Sequence, residues 1–331
     1  MTDRSALYEQ QLSEAYAFLQ DGDDFLVVSH VQPDGDAISS TVLIGWLLGR
    51  LGKRAVLVNE GTVPSRLGYL TLADTIQTVS ERPLGRTFAR IVSVDCADYR
   101  RIGTVSGSFA PDAQLLNIDH HPTNDGFGTV NLIRSNAAAT VEILYDLICH
   151  GGLALDLEAA TAVYTGLLTD TGGFRYSNTT PHVMEIASSL LQIGVRGHQL
   201  AQHLLEKMTM PQLKLLQRGL SRLSFSEDGR ISWLYIQPTD LEETGAAGED
   251  LEGLVNYALN VEGVEVGILF KIGGDGNTKV SLRSAGKADV AAIAQQFGGG
   301  GHVRAAGCRL EGQMPDVIST VVESVRRSLQ S

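Results

Sequence analysis

The sequence predicts an α/β protein built as two domains, and three observations carry that reading. Its 331 residues exceed one average domain and suggest about two. In the first half, short β-branched runs alternate with helical patterns, as in a parallel sheet flanked by helices. In the second half, two pairs of apolar runs around glycine-containing turns indicate hairpins, and helical patterns follow, so a smaller α/β domain is expected there.

The elements read in order as follows. An amphipathic helix places Tyr8, Leu12, Ala15 and Leu19 on one face. Phe25–Ser29 reads as a buried strand, followed by a helix from about Ala37 to Leu51, stopped by Gly52, and a strand at Ala55–Asn59. Ile91–Asp95 and Leu115–Asp119 read as further strands. Three of these four strands end in, or run straight into, His or Asp. In an open parallel sheet the ligand crevice lies at the carboxyl ends of the strands, so these side chains should converge. From Ala137 to about Ser221 the pattern is mainly helical, punctuated by Gly151-Gly152, Gly172-Gly173, Pro181 and Gly194. Residues 1–195 form the expected first domain, 196–221 a helical linker and 222–331 the second domain. In the last, Arg222–Ser226 with Ile231–Ile236 and Val264–Lys271 with Thr278–Arg283 form the hairpins. A helix near Val290–Phe297, capped by Asp289, runs into Gly298–Gly301, and a final helix closes the chain.

The apolar fraction of 43% and charged fraction of 19% are those of an ordinary globular protein. The opening stretch lacks the apolar segment of a signal peptide and no run approaches a membrane span, so a cytoplasmic protein without membrane contact is expected. Cys96, Cys149 and Cys308 are scattered and odd in number, which fits small buried hydrophobes better than disulfides. A net charge of −12 opposes tight binding of long nucleic acid, whose affinity comes from basic groups on many phosphates. A small phosphorylated ligand is compatible with it, because bound cations offset carboxylates locally.

Chemistry concentrates first in Ser29-His30-Val31-Gln32-Pro33-Asp34-Gly35-Asp36, between a strand and a helix. Pro33 and Gly35 favour a turn that could bring His30, Asp34 and Asp36 together. Imidazole with carboxylate suits Mn, Fe or Zn, although the same aspartates would also serve as helix caps. Asp95 ends a strand, where a lone Asp is usually a turn former. Asp119-His120-His121 ends the next one and is a rarer signal: a further metal contact and a proton donor. Asp170, before Thr171-Gly172-Gly173, reads alone as a helix terminator. Downstream, Phe297-Gly298-Gly299-Gly300-Gly301-His302 would let backbone N–H groups approach a phosphate, or would simply stop a helix.

Taken in order, the H-x-x-x-D-x-D segment, the isolated Asp95, the Asp-His-His triplet and the Thr-Asp-Thr-Gly segment at Asp170 resemble the DHH phosphoesterase family over nearly the whole chain. The resemblance implies a parallel-sheet DHH domain and a DHH-associated domain, with the active site in the cleft between them. It implies two divalent ions, manganese in the first place with Mg2+ or Co2+ as alternatives. His30 and Asp34 would hold one ion, Asp36, His120 and Asp170 the other, and Asp95 would bridge both. Asp119 would orient the histidines, and His121 would face the substrate. In the second domain, Gly298, Gly299, Gly300, Gly301 and His302, with Arg283, resemble the segments that hold the nucleotide, whereas Arg304 matches nothing.

Such ion pairs activate water and stabilise charge on the transferring phosphate. Within the family, the chain's length and acidity resemble the enzymes that degrade oligoribonucleotides of a few residues to mononucleotides and remove the 3′-phosphate of 3′-phosphoadenosine 5′-phosphate. Cyclic- or linear-dinucleotide hydrolysis is the nearest enzymatic alternative, and a non-catalytic nucleotide sensor the alternative of another class. The expected partners are short RNA and small nucleotides, and a homodimer is allowed.

Overall fold

The structure, a computed structural model, describes residues 6–273 and 276–330. It divides into two compact units, Met1–Lys207 and Met208–Ser331. The first unit holds α1 (Ala6–Asp21), β1 (Phe25–Val28), α2 (Gly35–Arg50), β2 (Ala55–Asn59), β3 (Gln77–Thr78), β4 (Phe88–Val94), β5 (Phe109–Asp119), β6 (Val130–Ile133), α3 (Thr140–His150), α4 (Leu157–Asp170), α5 (Pro181–Ile193) and α6 (Gly197–Ala201). Its strands form one sheet in the order β3-β2-β1-β4-β5-β6, every neighbouring pair parallel.

The expected α/β architecture is present. Tyr8, Leu12, Ala15 and Leu19 are all buried, as the spacing on α1 requires. The central strand β1 is buried throughout, which explains its uninterrupted apolar run. Two strands escaped the sequence reading: β3 has two residues, and β6 is a four-residue segment interrupted by Asn131, too short for a period to show. Helix α2 starts two residues earlier than expected, because Asp34 caps it by accepting from the Asp36 and Ala37 N–H groups. Cys96 and Cys308 are buried as expected, but Cys149 is exposed, because it lies in the last turn of α3 on the side away from the core.

A buried ionic group ties α3 to its surroundings. Asp146 accepts from the Tyr8 hydroxyl at 3.0 Å and from Arg134 Nη1 at 3.1 Å, and His182 Nε2 lies 3.3 Å away. Arg134 Nη1 also lies 3.2 Å from Glu142, whose other oxygen accepts the Ala138 N–H at 2.6 Å. Burial raises the Glu142 carboxyl, and the Asp146 contact, opposed by burial, raises the His182 imidazole. This group anchors the 134–140 segment, whose backbone reaches the metal-type ligands described below.

The second unit contains α7 (Met210–Leu220), β7 (Ser224–Phe225), β8 (Ile231–Ile236), α8 (Pro238–Thr244), α9 (Leu254–Leu259), β9 (Val266–Ile272), β10 (Asn277–Ser284), α10 (Val290–Gln295), β11 (Gly300–His302), β12 (Ala305–Glu311) and α11 (Met314–Gln330). Its sheet runs β11-β12-β10-β9-β8-β7, antiparallel except between β8 and β9. One face packs on α10 and α11 through Ile268, Phe270, Val280, Leu282, Val321 and Val325. The other packs on α7 and α9, where Leu215 and Leu254 meet Leu234, Ile236 and Leu269. Both hairpins and the Asp289 cap are present; Gly274 and Asp275 of the second turn lie outside the described residues. Part of the glycine run differs from a plain helix stop. Gly300–His302 is an edge strand on Ala305–Glu311, a partner strand so rich in Ala and Gly that its composition argues against a strand.

Candidate metal centre

The carboxyl edge of the first sheet brings the eight first-domain side chains singled out above into one connected group around Asp95 and His120, each within 4.0 Å of another member. Asp95 follows β4 with φ +59, a left-handed conformation that costs a non-glycine residue about 1–3 kcal/mol but suits Asp best among charged residues. This turn aims the carboxylate inward. Its Oδ2 lies 3.5 Å from His30 Nε2, and its Oδ1 lies 3.6 Å from His120 Nε2 and 3.6 Å from His121 Nδ1. Thr140 Oγ1 donates to the same Oδ1 at 3.0 Å. One oxygen therefore faces His30 and the other faces the histidine pair.

His30 and Asp34 flank the β1–α2 turn, with His30 Nε2 4.0 Å from Asp34 Oδ1. Asp34 both caps α2 and faces His30, so its role as a cap is compatible with a place beside His30 as a candidate ligand. Asp36, fully buried, caps a different helix: its Oδ2 accepts from Thr140 N at 2.6 Å and its Oδ1 from Val141 N at 3.1 Å, the first donors of α3. Gly166 on α4 makes room for it, since a Cβ there would meet Asp36 Oδ1 at 2.8 Å. Asp170, at the end of α4, brings Oδ2 within 3.3 Å of His120 Nε2. The Asn178 amide holds that corner by donating to the Asp170 and Ala138 carbonyls.

Two triads offer one donor atom each within 4.8 Å of one another, His30/Asp34/Asp95 and Asp36/His120/Asp170, and Asp95/Asp119/His121 forms a third. The donors are imidazole nitrogen and carboxylate oxygen throughout, a set suited to first-row divalent ions and, by its oxygens, to Mn2+ or Mg2+. His120 Nδ1 sits 3.3 Å from the Ala137 carbonyl, which fixes the proton there and turns Nε2 to the carboxylates as a ligand nitrogen. His30 Nδ1 is buried without a hydrogen-bond partner, while its Nε2 points at Asp95 and Asp34. Asp119 is buried; its Oδ1 lies 2.7 Å from His121 Nδ1, and its Oδ2 accepts from Asn124 at 2.7 Å.

The electrostatics fit a cation. Burial, then the charges of Asp95 and Asp34, raise the Asp36 carboxyl well above the usual range. Burial, then Asp36, Asp34 and Asp95, do the same to Asp170. Asp95 goes the other way: burial opposes its ionisation, but the His30 hydrogen bond and the fields of His121, His30 and His120 outweigh it. Burial lowers His120, whereas for His121 the Asp119 hydrogen bond and the Asp95 and Asp119 charges overcome burial and raise it.

A carboxyl raised in the folded state holds its proton more tightly there. Asp36 and Asp170 therefore contribute most to the stability of the metal-free protein below the ordinary carboxylate value, and that contribution is lost as pH rises through their raised values. Divalent cation at neutral pH should reverse that loss. At a hundredfold excess over the dissociation constant, Mn2+ should add about 2.7 kcal/mol, raising Tm by roughly 5–10 °C over the EDTA-treated protein. Thermal scans at pH 5 and pH 8 should show the larger gain at pH 8; an equal gain at both would contradict this electrostatic account.

In the second unit, Arg283 lies on β10 and donates from Nη1 to the Leu282 carbonyl, and His302 ends β11 opposite Ala305, the residue that also pairs with Arg283. The four glycines differ. A Cβ at Gly299 would meet the Gly307 carbonyl at 2.2 Å and one at Gly301 the Ala305 carbonyl at 2.5 Å, so these two are required by the packing of β11. Gly298, at φ +70, is required by its conformation. At Gly300 a Cβ would enter open space without conformational penalty, so neither packing nor conformation requires glycine there.

Three contributors were missed in the sequence: Thr140, which bonds Asp95 and Asp36, the Ala137 carbonyl, and Asn124 behind Asp119. Thr140 at the start of a helical pattern signalled only a cap; backbone groups carry no residue signature at all.

The DHH family, N-terminal domain matches residues 24–167, and the DHHA1 domain matches residues 231–330. The bifunctional oligoribonuclease and PAP phosphatase NrnA of Thermus thermophilus is 36% identical over 307 residues, 92% of this chain and 89% of that relative. The crystal structure of an exopolyphosphatase-related protein from Bacteroides fragilis has a TM-score of 0.89 at 25% identity, over 99% of this chain and 98% of that one. RecJ from Thermus thermophilus, in complex with Mn2+, shares the fold at a TM-score of 0.50 and 13% identity, over 97% of this chain and 55% of that one. Fold, site and relatives together define a metal-dependent hydrolase of phosphoester bonds. Within that class, the chain belongs to the DHH family. No helix among the described residues is long and apolar enough to cross a membrane.

Proposed function

We propose that this protein hydrolyses short oligoribonucleotides to mononucleotides and 3′-phosphoadenosine 5′-phosphate to AMP and phosphate, using two divalent ions, manganese first among them. The observation that carries the reading is Asp95, whose two carboxylate oxygens face His30 on one side and His120 on the other. The likeness over 92% of the chain to a relative named for both activities supports the substrates. His30 and Asp34 hold one ion, Asp36, His120 and Asp170 the other, and Asp95 both. Ions held there would supply an activated water and charge neutralisation for hydrolysis of the phosphoester. His121, positioned by Asp119, holds a proton at Nε2 toward the phosphate or leaving oxygen. Arg283, Gly298–Gly301 and His302 hold the nucleotide. The acidic chain favours small ligands over long nucleic acid, and the three free, scattered cysteines fit a reducing, cytoplasmic compartment.

Purified protein with Mn2+ should be tested on ribonucleotides of two to ten residues, cyclic dinucleotides, pyrophosphate and 3′-phosphoadenosine 5′-phosphate, with products resolved by chromatography. Turnover should be greatest at about two to five nucleotides, where phosphate contacts beyond the site add little in an acidic chain. Digestion of a 20-mer as fast as a dinucleotide, or stoichiometric binding without product, would remove this reading.

A further inference from the structure

We propose that Lys271, Lys279 and Arg309 form a second phosphate subsite, which takes a further phosphodiester of an oligonucleotide held at Arg283 and His302. This rests on the reading above that the second unit holds the nucleotide. The register of the sheet puts the three cations side by side: Lys279 on β10 is the direct partner of Lys271 on β9 and of Arg309 on β12. The row faces the side of the sheet that carries Leu269, the side of α7 and α9, because side chains two apart on a strand share a face.

Arg283 lies on that same face, four residues along β10 from Lys279, or about 13 Å at ~3.3 Å per residue. Between the two levels the face carries Ser281, paired with Gly307, which in turn pairs with Gly300. Toward the β12–β11 edge the floor between the row and Arg283 is therefore nearly bare backbone, and the Cβ position of Gly300 opens on space, whereas on the β9 side Leu269, the partner of Ser281, is buried under α7 and α9. A strip of sheet surface with cations at both ends is longer than one nucleotide unit and suits an extended phosphodiester.

Like charges directly opposite on neighbouring strands destabilise a sheet. The effect is felt here: burial and then Arg309 lower the Lys271 amine, and burial and then Lys271 and Arg309 lower that of Lys279. Lys279 and Arg309 are nevertheless exposed, and among the described residues the next pair on the face, Asn277 and Glu311, contributes one carboxylate beside three cations. In a chain of net charge −12, a row of three cations on one face is a local reversal of sign. An anion bridging the row would remove the repulsion.

The test compares the parent protein with Lys271→Gln/Lys279→Gln/Arg309→Gln and with Lys279→Gln alone, should the triple variant not fold. Affinity for a labelled, hydrolysis-resistant phosphorothioate pentaribonucleotide is read by anisotropy in Mn2+ at several salt concentrations, and dinucleotide turnover is read separately. The triple variant should bind the pentamer about tenfold more weakly, with a log–log salt slope shallower by about 0.7, the contribution of one neutralised phosphate on a single strand. Its dinucleotide kcat and KM should be unchanged and its Tm equal or higher. Unchanged pentamer affinity and salt slope would overturn the subsite while leaving the nucleotide reading in place. Equal weakening of dinucleotide and pentamer would overturn it too. A parent that turns over no dinucleotide, with a variant that still loses pentamer affinity, would instead remove the catalytic reading and keep the subsite.

Discussion

Asp95→Asn should lower hydrolysis by roughly a thousandfold or more, the consequence of losing several kcal/mol of cation-derived charge stabilisation, while the metal-free fold survives. Asparagine is the sharper substitution than alanine for three reasons. It tolerates the left-handed φ of +59, it leaves a carbonyl oxygen to accept from Thr140, and it keeps the volume. What it removes is the charge that faces His30, His120 and His121 together. The rise in Tm on adding Mn2+ should vanish in this variant, and calorimetric titration should show weak or no cation binding. A variant that keeps the full thermal gain and still loses activity would show that Asp95 acts on the substrate and not on the ions.

Most of the first sheet was legible because its strands are buried on both faces and read as plain apolar runs, as Phe25–Val28 does. Among the candidate ligands, His30, Asp95 and His120 were legible because an Asp or His at the end of such a run sits at the carboxyl edge by construction. What the sequence did not disclose is how each carboxylate is shared. Asp34 caps α2, and Asp36 caps α3, more than a hundred residues away. Such long-range caps leave no local spacing to detect. The same limit hid β11, whose glycines become a strand only because Ala305–Glu311 lies alongside. The cationic row of the second sheet was invisible for the same reason: Lys271, Lys279 and Arg309 are far apart in the chain and meet only through register. By contrast, Asp289 and the α1 face were read correctly, since both are governed by neighbours within one helical turn or two.

His121→Ala should separate proton transfer from cation binding. The imidazole lies 2.7 Å from buried Asp119 through Nδ1, an arrangement that fixes its tautomer and turns Nε2 away from the carboxylate. Losing a positioned acid or base costs about a hundred- to ten-thousandfold in rate, and kcat should fall by that order in His121→Ala. The Mn2+-dependent gain in Tm should be largely retained, because neither His30/Asp34/Asp95 nor Asp36/His120/Asp170 includes this ring. Asp119→Asn tests the positioning from the other side. An amide has one acceptor where the carboxylate serves both His121 and Asn124, so the ring loses its held proton and its nearby charge. Asp119 and Asp95 hold the His121 imidazole above its ordinary value against the effect of burial. If the charged ring is the active form, rates fall as pH rises through that raised value, and in Asp119→Asn this alkaline limb should move to lower pH. The loss at neutral pH should be about 10–100-fold, the usual cost of removing a group that orients a working histidine. Unmoved pH limbs together with equal loss of the cation-dependent Tm gain in both variants would assign His121 to the metal centre itself.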